Sequence, residues 1–316
     1  MAKSNQKPGL AKFFQDYPIV LVVAVSLGIG IWFGYYLAHR NPAHPKAVRN
    51  VLESKGFKKN AFADQIPSAG VPIVPFQKFF EKSKEEEKIQ QPIAKPLGKP
   101  KIVFVIDDIG YNKKYADLLF SISPSVTCAI LPQVAYSKYF AEEAKQHGFE
   151  TILHIPLEPE SAEDEPGPGL MTVNMSSYEV KAVLDKDLAS VPGVTGANNH
   201  MGSRATRDRA LMYFIVKELK ARQLFFLDSM THPDSVGHDV AHAMGLTPLK
   251  RDVFLDNQDD FDYVTERIQE TAQIAKQMGV AVAIGHYREN TLSAIKKAMP
   301  GLQADGIEIV RLQDLK

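Results

Sequence analysis

IVFVIDDIG, residues 102–110, is an apolar run without alternation that ends in two adjacent carboxylates, Asp107 and Asp108, and a glycine turn. A strand that carries no polar side chain until its end is buried on both faces, as in parallel α/β sheets, where ligands bind just past the carboxyl ends of the strands. Asp107 and Asp108 therefore stand at the edge where such proteins do chemistry. Neighbouring carboxylates at a dry strand end repel each other unless a cation lies between them or one takes up a proton. The pair invites metal binding and general-base work. The plainer alternative is that one aspartate caps the next helix and the other is solvated.

Downstream of this strand, further apolar runs at 126–131, 150–155, 194–198, 224–227, 280–284 and 307–310 alternate with helical patterns. That order predicts βα units and a parallel sheet, and seven such strands suit a barrel better than a small open sheet. The helices carry start and stop signals. Ser176 and Glu179 form a capping box ahead of Val180, Val183 and Leu184; Val264, Ile268, Ala272 and Ala275 repeat at helical spacing until Gly279; Asn290 can cap a helix that stops at Pro300. The acidic, Pro/Gly-rich loop EPESAEDEPGPG, residues 158–169, follows the third strand and belongs on the same rim as the two aspartates. Cys128, in SVTCAIL, reads as a buried small hydrophobe, and as the single cysteine it excludes an intrachain disulfide.

Upstream, the chain changes character twice. After a short tail, residues 1–17, the stretch PIVLVVAVSLGIGIWFGYYLA at 18–38 holds no charge and, at about 1.5 Å per residue, is long enough to span a bilayer core. Trp32, Tyr35 and Tyr36 gather towards one end, as interfacial aromatics do. The short apolar region and small-x-small site of a cleavable signal are missing, so the stretch reads as an uncleaved single-pass anchor. Lys3, Lys7 and Lys12 before it balance Arg40, Lys46 and Arg49 after it, so charge alone does not set the orientation. Residues 39–100 mix eight prolines with the charge run 82–88 and read as an extended tether to a folded domain at 101–316. The 316-residue chain has a net charge of zero, which gives no electrostatic case for nucleic acid.

Three histidines lie at or just past strand ends: His154 in TILHIPLEP, His200 in ANNHMGS and His286 in AIGHY. One histidine so placed is commonly structural, but three on a rim shared with Asp107 and Asp108 point to a site. His154 and His200 arrive from different strands and can converge with Asp108 on one ion, a two-histidine, one-carboxylate set with positions left open for water. Glu158 lies four residues after His154, but Pro156 and Pro159 argue against a helix there, and an extended chain would separate the two by about 13 Å. Only a tight turn would recruit it. Zinc or another divalent cation in such a site lowers the pKa of a bound water towards neutrality.

The ordered series VIDDIG, LHIPLEP, PGPG, NNHMGS, LDS and AIGH resembles the divergent polysaccharide deacetylase family, a distant relative of the carbohydrate esterase family four deacetylases. The resemblance covers residues 101–316. It implies a distorted seven-stranded β/α barrel, an N-acetylated glycan as substrate, Asp107 as general base, Asp108 as a metal ligand alongside histidines, and His286 as general acid. It also favours export, with Lys3, Lys7 and Lys12 cytoplasmic and the domain on the periplasmic side of the inner membrane. The chain departs from the esterase pattern of two histidines four residues apart: His154 stands alone on its strand, and the second ligand must come from His200 or Glu158. Arg204 is a stand-in for the arginine that holds the esterase base, and Asn198 and Asn199 could orient substrate, although all three could equally satisfy loop backbone groups. Asp228, in FFLDS, either bridges to a histidine or caps the next segment.

The leading expectation is therefore a membrane-anchored, extracytoplasmic, metal-dependent glycan deacetylase. Its alternative is a non-catalytic glycan-binding or envelope-assembly module on the same fold. Metal-dependent hydrolysis of another amide or ester would use the same residues.

Overall fold

The computed structural model describes residues 98–315. The expected anchor at 18–38 and the tether up to residue 97 lie outside the described residues. Among those described, no helix is long and apolar enough to cross a membrane.

The elements run β1 (Lys101–Ile109), α1 (Ala116–Phe120), β2 (Thr127–Ile130), α2 (Ser137–Gln146), β3 (Glu150–Leu157), α3 (Ser177–Ser190), β4 (Gly196–Met201), α4 (Arg209–Ala221), β5 (Phe225–Asp228), α5 (Gly237–Ala243), β6 (Leu249–Lys250), β7 (Val253–Phe254), α6 (Phe261–Met278), β8 (Val280–His286), α7 (Glu289–Ala304) and β9 (Glu308–Ile309). All nine strands join one parallel sheet in the order β6-β5-β4-β3-β2-β1-β8-β7, with β9 beside the first residues of β1. Its two edge strands, β6 and β7, are consecutive in the chain and separated only by Arg251 and Asp252. The Arg251 amide donates to Asp228 O on one edge (2.9 Å) and the Asp252 amide to Val282 O on the other (2.8 Å). The sheet therefore curls until two residues of chain span the gap. This corrects the expected seven-stranded barrel: the described residues form nine strands in a curled, barrel-like sheet with no ladder between β6 and β7. The two strands missed, β6 and β7, are two residues long, too short to show a strand period in the sequence.

Strand alternation sorts the core into two layers. Ile102, Phe104 and Ile106 of β1 pack with helix residues such as Leu184, Ile215 and Ile268, whereas Val103 and Val105 pack with Ile152, Phe225, Leu227, Val282 and Ile284, nearly all from other strands. The first set is the outer, helix-covered face and the second fills the concave interior. Leu312, from the short 3₁₀ turn Leu312–Leu315, closes that interior near the start of the strands. Buried Glu150 ties the turn down by accepting from Thr127 Oγ1 (2.8 Å), Thr195 Oγ1 (2.7 Å) and the Gln313 amide (3.1 Å). Cys128 is buried on β2 in the outer layer, where burial pushes its thiol pKa up.

The Ser176–Glu179 capping box opens α3 as read from sequence, and Gly279, at φ 89°, ends α6 in the left-handed region that favours glycine. Two terminal signals were misleading. Asn290 does not cap α7; its amide donates to Asp259 instead (3.1 Å). Pro300 lies inside α7, which runs on to Ala304. Residues 296, 297 and 300 are exposed, so the carbonyl that proline leaves without a backbone donor lies on the solvent side and the helix continues.

Candidate active site

On β1, β3, β5 and β8 the inward-facing series ends in a polar side chain at the carboxyl rim. After Val103 and Val105 comes Asp107; after Ile152, His154; after Phe225 and Leu227, Ser229; after Val282 and Ile284, His286. On β4, Ala197 belongs to the outer layer, so Asn198 and His200 face in. Apolar packing fills the lower interior, and the polar ends meet above it.

Asp108 would point outward by this alternation, and the backbone prevents it. Asp108 sits at φ 62°, and the β1–β2 register slips between Ile106 and Ile109. This bulge turns both aspartates towards one site, as two adjacent ligating or catalytic carboxylates require. A non-glycine residue held at such φ costs on the order of 1–3 kcal/mol, a strain that gathers at functional sites. Met201 (φ 52°), the last residue of β4, and Met230 (φ 49°), two residues past β5 on the same rim, share this conformation.

Asp108 Oδ1, His154 Nε2 and His200 Nδ1 form a tight triangle: 3.2 Å from His154 to Asp108, 2.9 Å from His200 to Asp108 and 3.2 Å between the rings. Donors about 2.1 Å from a shared ion stand roughly 3.0 Å apart in octahedral and 3.4 Å apart in tetrahedral coordination. Asp108 Oδ1 is buried without a hydrogen-bond donor of proper geometry, an orphaned acceptor that a cation would satisfy. The donor set and spacing thus fit a divalent ion on one carboxylate and two imidazoles. His200 completes the set across the β3–β4 ladder, where Pro156 pairs with it. Glu158 does not: its carboxylate accepts from the Val173 amide (2.9 Å) and pairs with Arg204 (3.1 Å).

The groups around the triangle divide by charge. Asp107 is buried; Oδ1 accepts from Asn198 Nδ2 (2.9 Å), and Oδ2 faces His154 Nε2 at 3.6 Å. Burial lifts the Asp107 carboxyl above the ordinary range despite the opposing pull of His154. Burial would lift Asp108 as well, but the facing His154 and His200 rings outweigh it and hold that carboxyl well below the ordinary range. The environments of the two adjacent carboxyls thereby shift them in opposite directions.

His286 lies 3.7 Å from Asp108 Oδ2 through Nε2, and its Nδ1 is 2.9 Å from Asp256 Oδ1. Asp256 is buried, and its other oxygen accepts from the His286 amide (2.8 Å) and Thr291 Oγ1 (2.7 Å). An ionised Asp256 only accepts, so His286 carries a hydrogen on Nδ1 and turns Nε2 to the cleft. Burial would lower the His286 pKa; the bond to Asp256 and the charges of Asp108, Asp256 and Asp107 outweigh it and raise it. His286 is thus protonated over a wider range than a free imidazole.

The remaining expected residues frame the cleft. Asn199 accepts from the Ser229 amide (2.8 Å) and donates to Met201 O (2.8 Å), stitching β4 to the loop after β5. Asp228 reaches no histidine ring; it accepts from the amides of Met230 (2.9 Å) and His238 (2.9 Å) and from Ser235 Oγ (2.6 Å), which caps the following segment. Arg204 is half exposed on Glu158 and does not hold Asp107. The arginine whose charge reaches Asp107 is Arg251, in the β6–β7 crossing, which fixes the loop after β5 by donating to Ser229 O and Met230 O (2.7 Å each). Sequence reading missed Arg251 and Asp256. A usable signal existed for Asp256: VFLD at 253–256 repeats the pattern of FFLD at 225–228, an apolar run ended by aspartate. The cleft has a volume of about 440 Å³, within the ~300–1,000 Å³ of ligand pockets, with Met230, Phe254 and Asn257 lining it beyond the metal-binding trio.

Comparison with known proteins gives a consistent set of relatives. A model of the divergent polysaccharide deacetylase family matches residues 104–316. An uncharacterized protein of Haemophilus influenzae is 34% identical over 215 residues, 68% of this chain and 76% of its own. The uncharacterized protein YibQ of Escherichia coli is 28% identical over 215 residues, 68% of this chain and 67% of its own. The crystal structure of ATU2773, an uncharacterized protein from Agrobacterium tumefaciens, superposes with a TM-score of 0.67 at 22% identity, covering 71% of this chain and 93% of that one, and so shares the fold.

Proposed function

Because the chain belongs to the divergent polysaccharide deacetylase family, we propose that it is a metal-dependent hydrolase that removes acetyl groups from an N-acetylated cell-envelope glycan. In this reading residues 18–38 anchor it in the inner membrane and the folded domain is periplasmic. The observation that carries the chemistry is the triangle of Asp108, His154 and His200 with Asp107 and His286 beside it. Asp108 Oδ1, His154 Nε2 and His200 Nδ1 would hold the ion, zinc being the divalent cation best matched to imidazole donors with one carboxylate. Such an ion polarises the acetamide carbonyl and acidifies water. Asp107 takes a proton from the attacking water as its oxygen bonds to the acetyl carbon. His286 delivers a proton from Nε2 to the nitrogen as the C–N bond breaks, releasing acetate and a free amine. Asn198 and Asp256 hold the base and the acid in place through the hydrogen bonds described.

The test is acetate release by zinc-loaded protein from peptidoglycan and chitooligosaccharides. The expected result is release that stops on chelation and returns with zinc. A metal-loaded protein that binds these glycans but frees no acetate would put the binding-module reading in its place. A reporter fused after Lys316 that is active only in the cytoplasm would overturn the orientation.

A further inference from the structure

Asn198 is a fully buried amide at the centre of the inner rim, paired across the sheet with His154 on β3 and Leu227 on β5. It touches neither solvent nor any of the three donor atoms, yet it bonds to both halves of the proposed machinery. Its Oδ1 lies 2.8 Å from His154 Nδ1, and its Nδ2 lies 2.9 Å from Asp107 Oδ1 and 3.2 Å from Ser229 Oγ. An amide is not symmetric, since its nitrogen only donates and its oxygen only accepts. The nitrogen is turned to Asp107 Oδ1 and Ser229 Oγ, where it donates. The oxygen is then left for His154, and that ring must carry its hydrogen on Nδ1. The lone pair consequently sits on Nε2, the atom 3.2 Å from both Asp108 Oδ1 and His200 Nδ1.

We propose that Asn198 is a positioning residue that serves ligand and base through one side chain: it selects the His154 tautomer able to coordinate, and it anchors the carboxylate that deprotonates water. This rests on the metal-dependent reading above. Neither alanine nor aspartate at this position satisfies both duties. Alanine serves neither partner. Aspartate accepts from His154 Nδ1 but offers no hydrogen to Asp107. The roles of a ligand's outer partner and of a base's anchor thereby become separable by substitution.

The test compares Asn198→Ala and Asn198→Asp in the full-length protein. Zinc affinity is measured by competition with a chromophoric chelator, kcat and KM by acetate release, and the His154 tautomer by long-range ¹H–¹⁵N spectra of metal-free, histidine-labelled protein at alkaline pH. Asn198→Ala is expected to weaken zinc binding by about 10–100-fold, the usual effect of losing a ligand's outer hydrogen-bond partner. Asn198→Asp is expected to keep zinc within a few-fold of the unmodified protein while kcat falls by about 10²-fold at little change in KM, because Asp107 loses its donor and faces a like charge in its place. In the metal-free spectra His154 is expected as the Nδ1–H form in the unmodified protein and to lose that form in Asn198→Ala.

The proposal is overturned if the two variants lose zinc affinity and kcat by the same factor in step with thermal stability, which is what a purely structural amide would give. It is overturned equally if both variants match the unmodified protein, or if the His154 tautomer is unchanged in Asn198→Ala. Failure of the unmodified protein to bind zinc would sink the metal-dependent reading, and the tautomer measurement would still decide whether Asn198 sets the state of His154.

Discussion

Asp187 on α3 is a fully buried carboxyl outside the catalytic rim, and it should make the domain's stability fall with rising pH. One oxygen accepts from Gln133 Nε2 (2.6 Å), but Oδ2 is buried with no hydrogen-bond partner. Burial, opposed by the Gln133 bond and the charge of Lys186, pushes the pKa from the ordinary 3.8 up to about 7. The folded pKa is raised, so the native state prefers the protonated carboxyl. Stability is then lost as pH rises above the unfolded pKa, and the loss levels off above the folded one. With those two values the native state loses about 2 to 3 kcal/mol between pH 5 and pH 8, because each pKa unit is worth about 1.4 kcal/mol. Asp187→Asn removes the titration while leaving every other group in place. The stability difference, variant minus unmodified, should therefore grow by about 2 to 3 kcal/mol in favour of asparagine over that interval. At roughly 2–4 °C per kcal/mol for a domain of this size, the gap in Tm should widen by about 5–10 °C. Urea and thermal unfolding of both proteins at intervals between pH 5 and 8 measure it. A gap that stays constant to within about 0.5 kcal/mol would show that Asp187 is ionised in the native state across the range, and the reasoning from its orphaned oxygen would be wrong.

The same region gives a second expectation. Gly169 adopts φ +85°, and a Cβ there would come within 2.8 Å of Asp187 Oδ2; Gly169→Ala should cost about 2–4 kcal/mol, read as a lower urea midpoint at unchanged slope. At the site, Asp107→Asn should retain stoichiometric zinc and lose about 10²–10⁴-fold in acetate release, whereas Asp108→Asn should lose the zinc itself; equal metal content in the two variants would refute the division of labour. Asp256→Asn withdraws the carboxylate that raises the His286 pKa. His286 should then give up its proton at lower pH, and the alkaline limb of the kcat/KM profile should move to lower pH; an unmoved limb would remove His286 from the role of acid.

Much of the site was legible in the sequence because side-chain direction along a strand is a local property. The run Ile102–Asp107 declares both its burial and where it ends, so Asp107, His154 and His286 could be placed at strand ends on one rim from residue order alone. The capping box at Ser176 and the glycine after α6 were readable for the same reason, since each is settled within a few residues. Local geometry weighed against Glu158, which an extended chain carries away from His154, but left it open as the second ligand; the structure seats it on Arg204 and Val173 instead.

Tertiary structure decided what depends on neighbours distant in the chain. His200 meets His154 only because β4 pairs with β3 in a register that sets Pro156 beside His200. Asp256 reaches His286 because β7, a two-residue strand with no periodicity to detect, closes on β8. A turn at Asp108 could be demanded from the sequence, since two adjacent aspartates share a site only if the chain turns there, but its left-handed backbone persists because β2 and β8 hold the strand on both sides of the bulge. The sequence alone determined which side chains stand at the carboxyl rim; long-range strand pairing, whose contacts no local pattern encodes, decided which of them face the interior and touch.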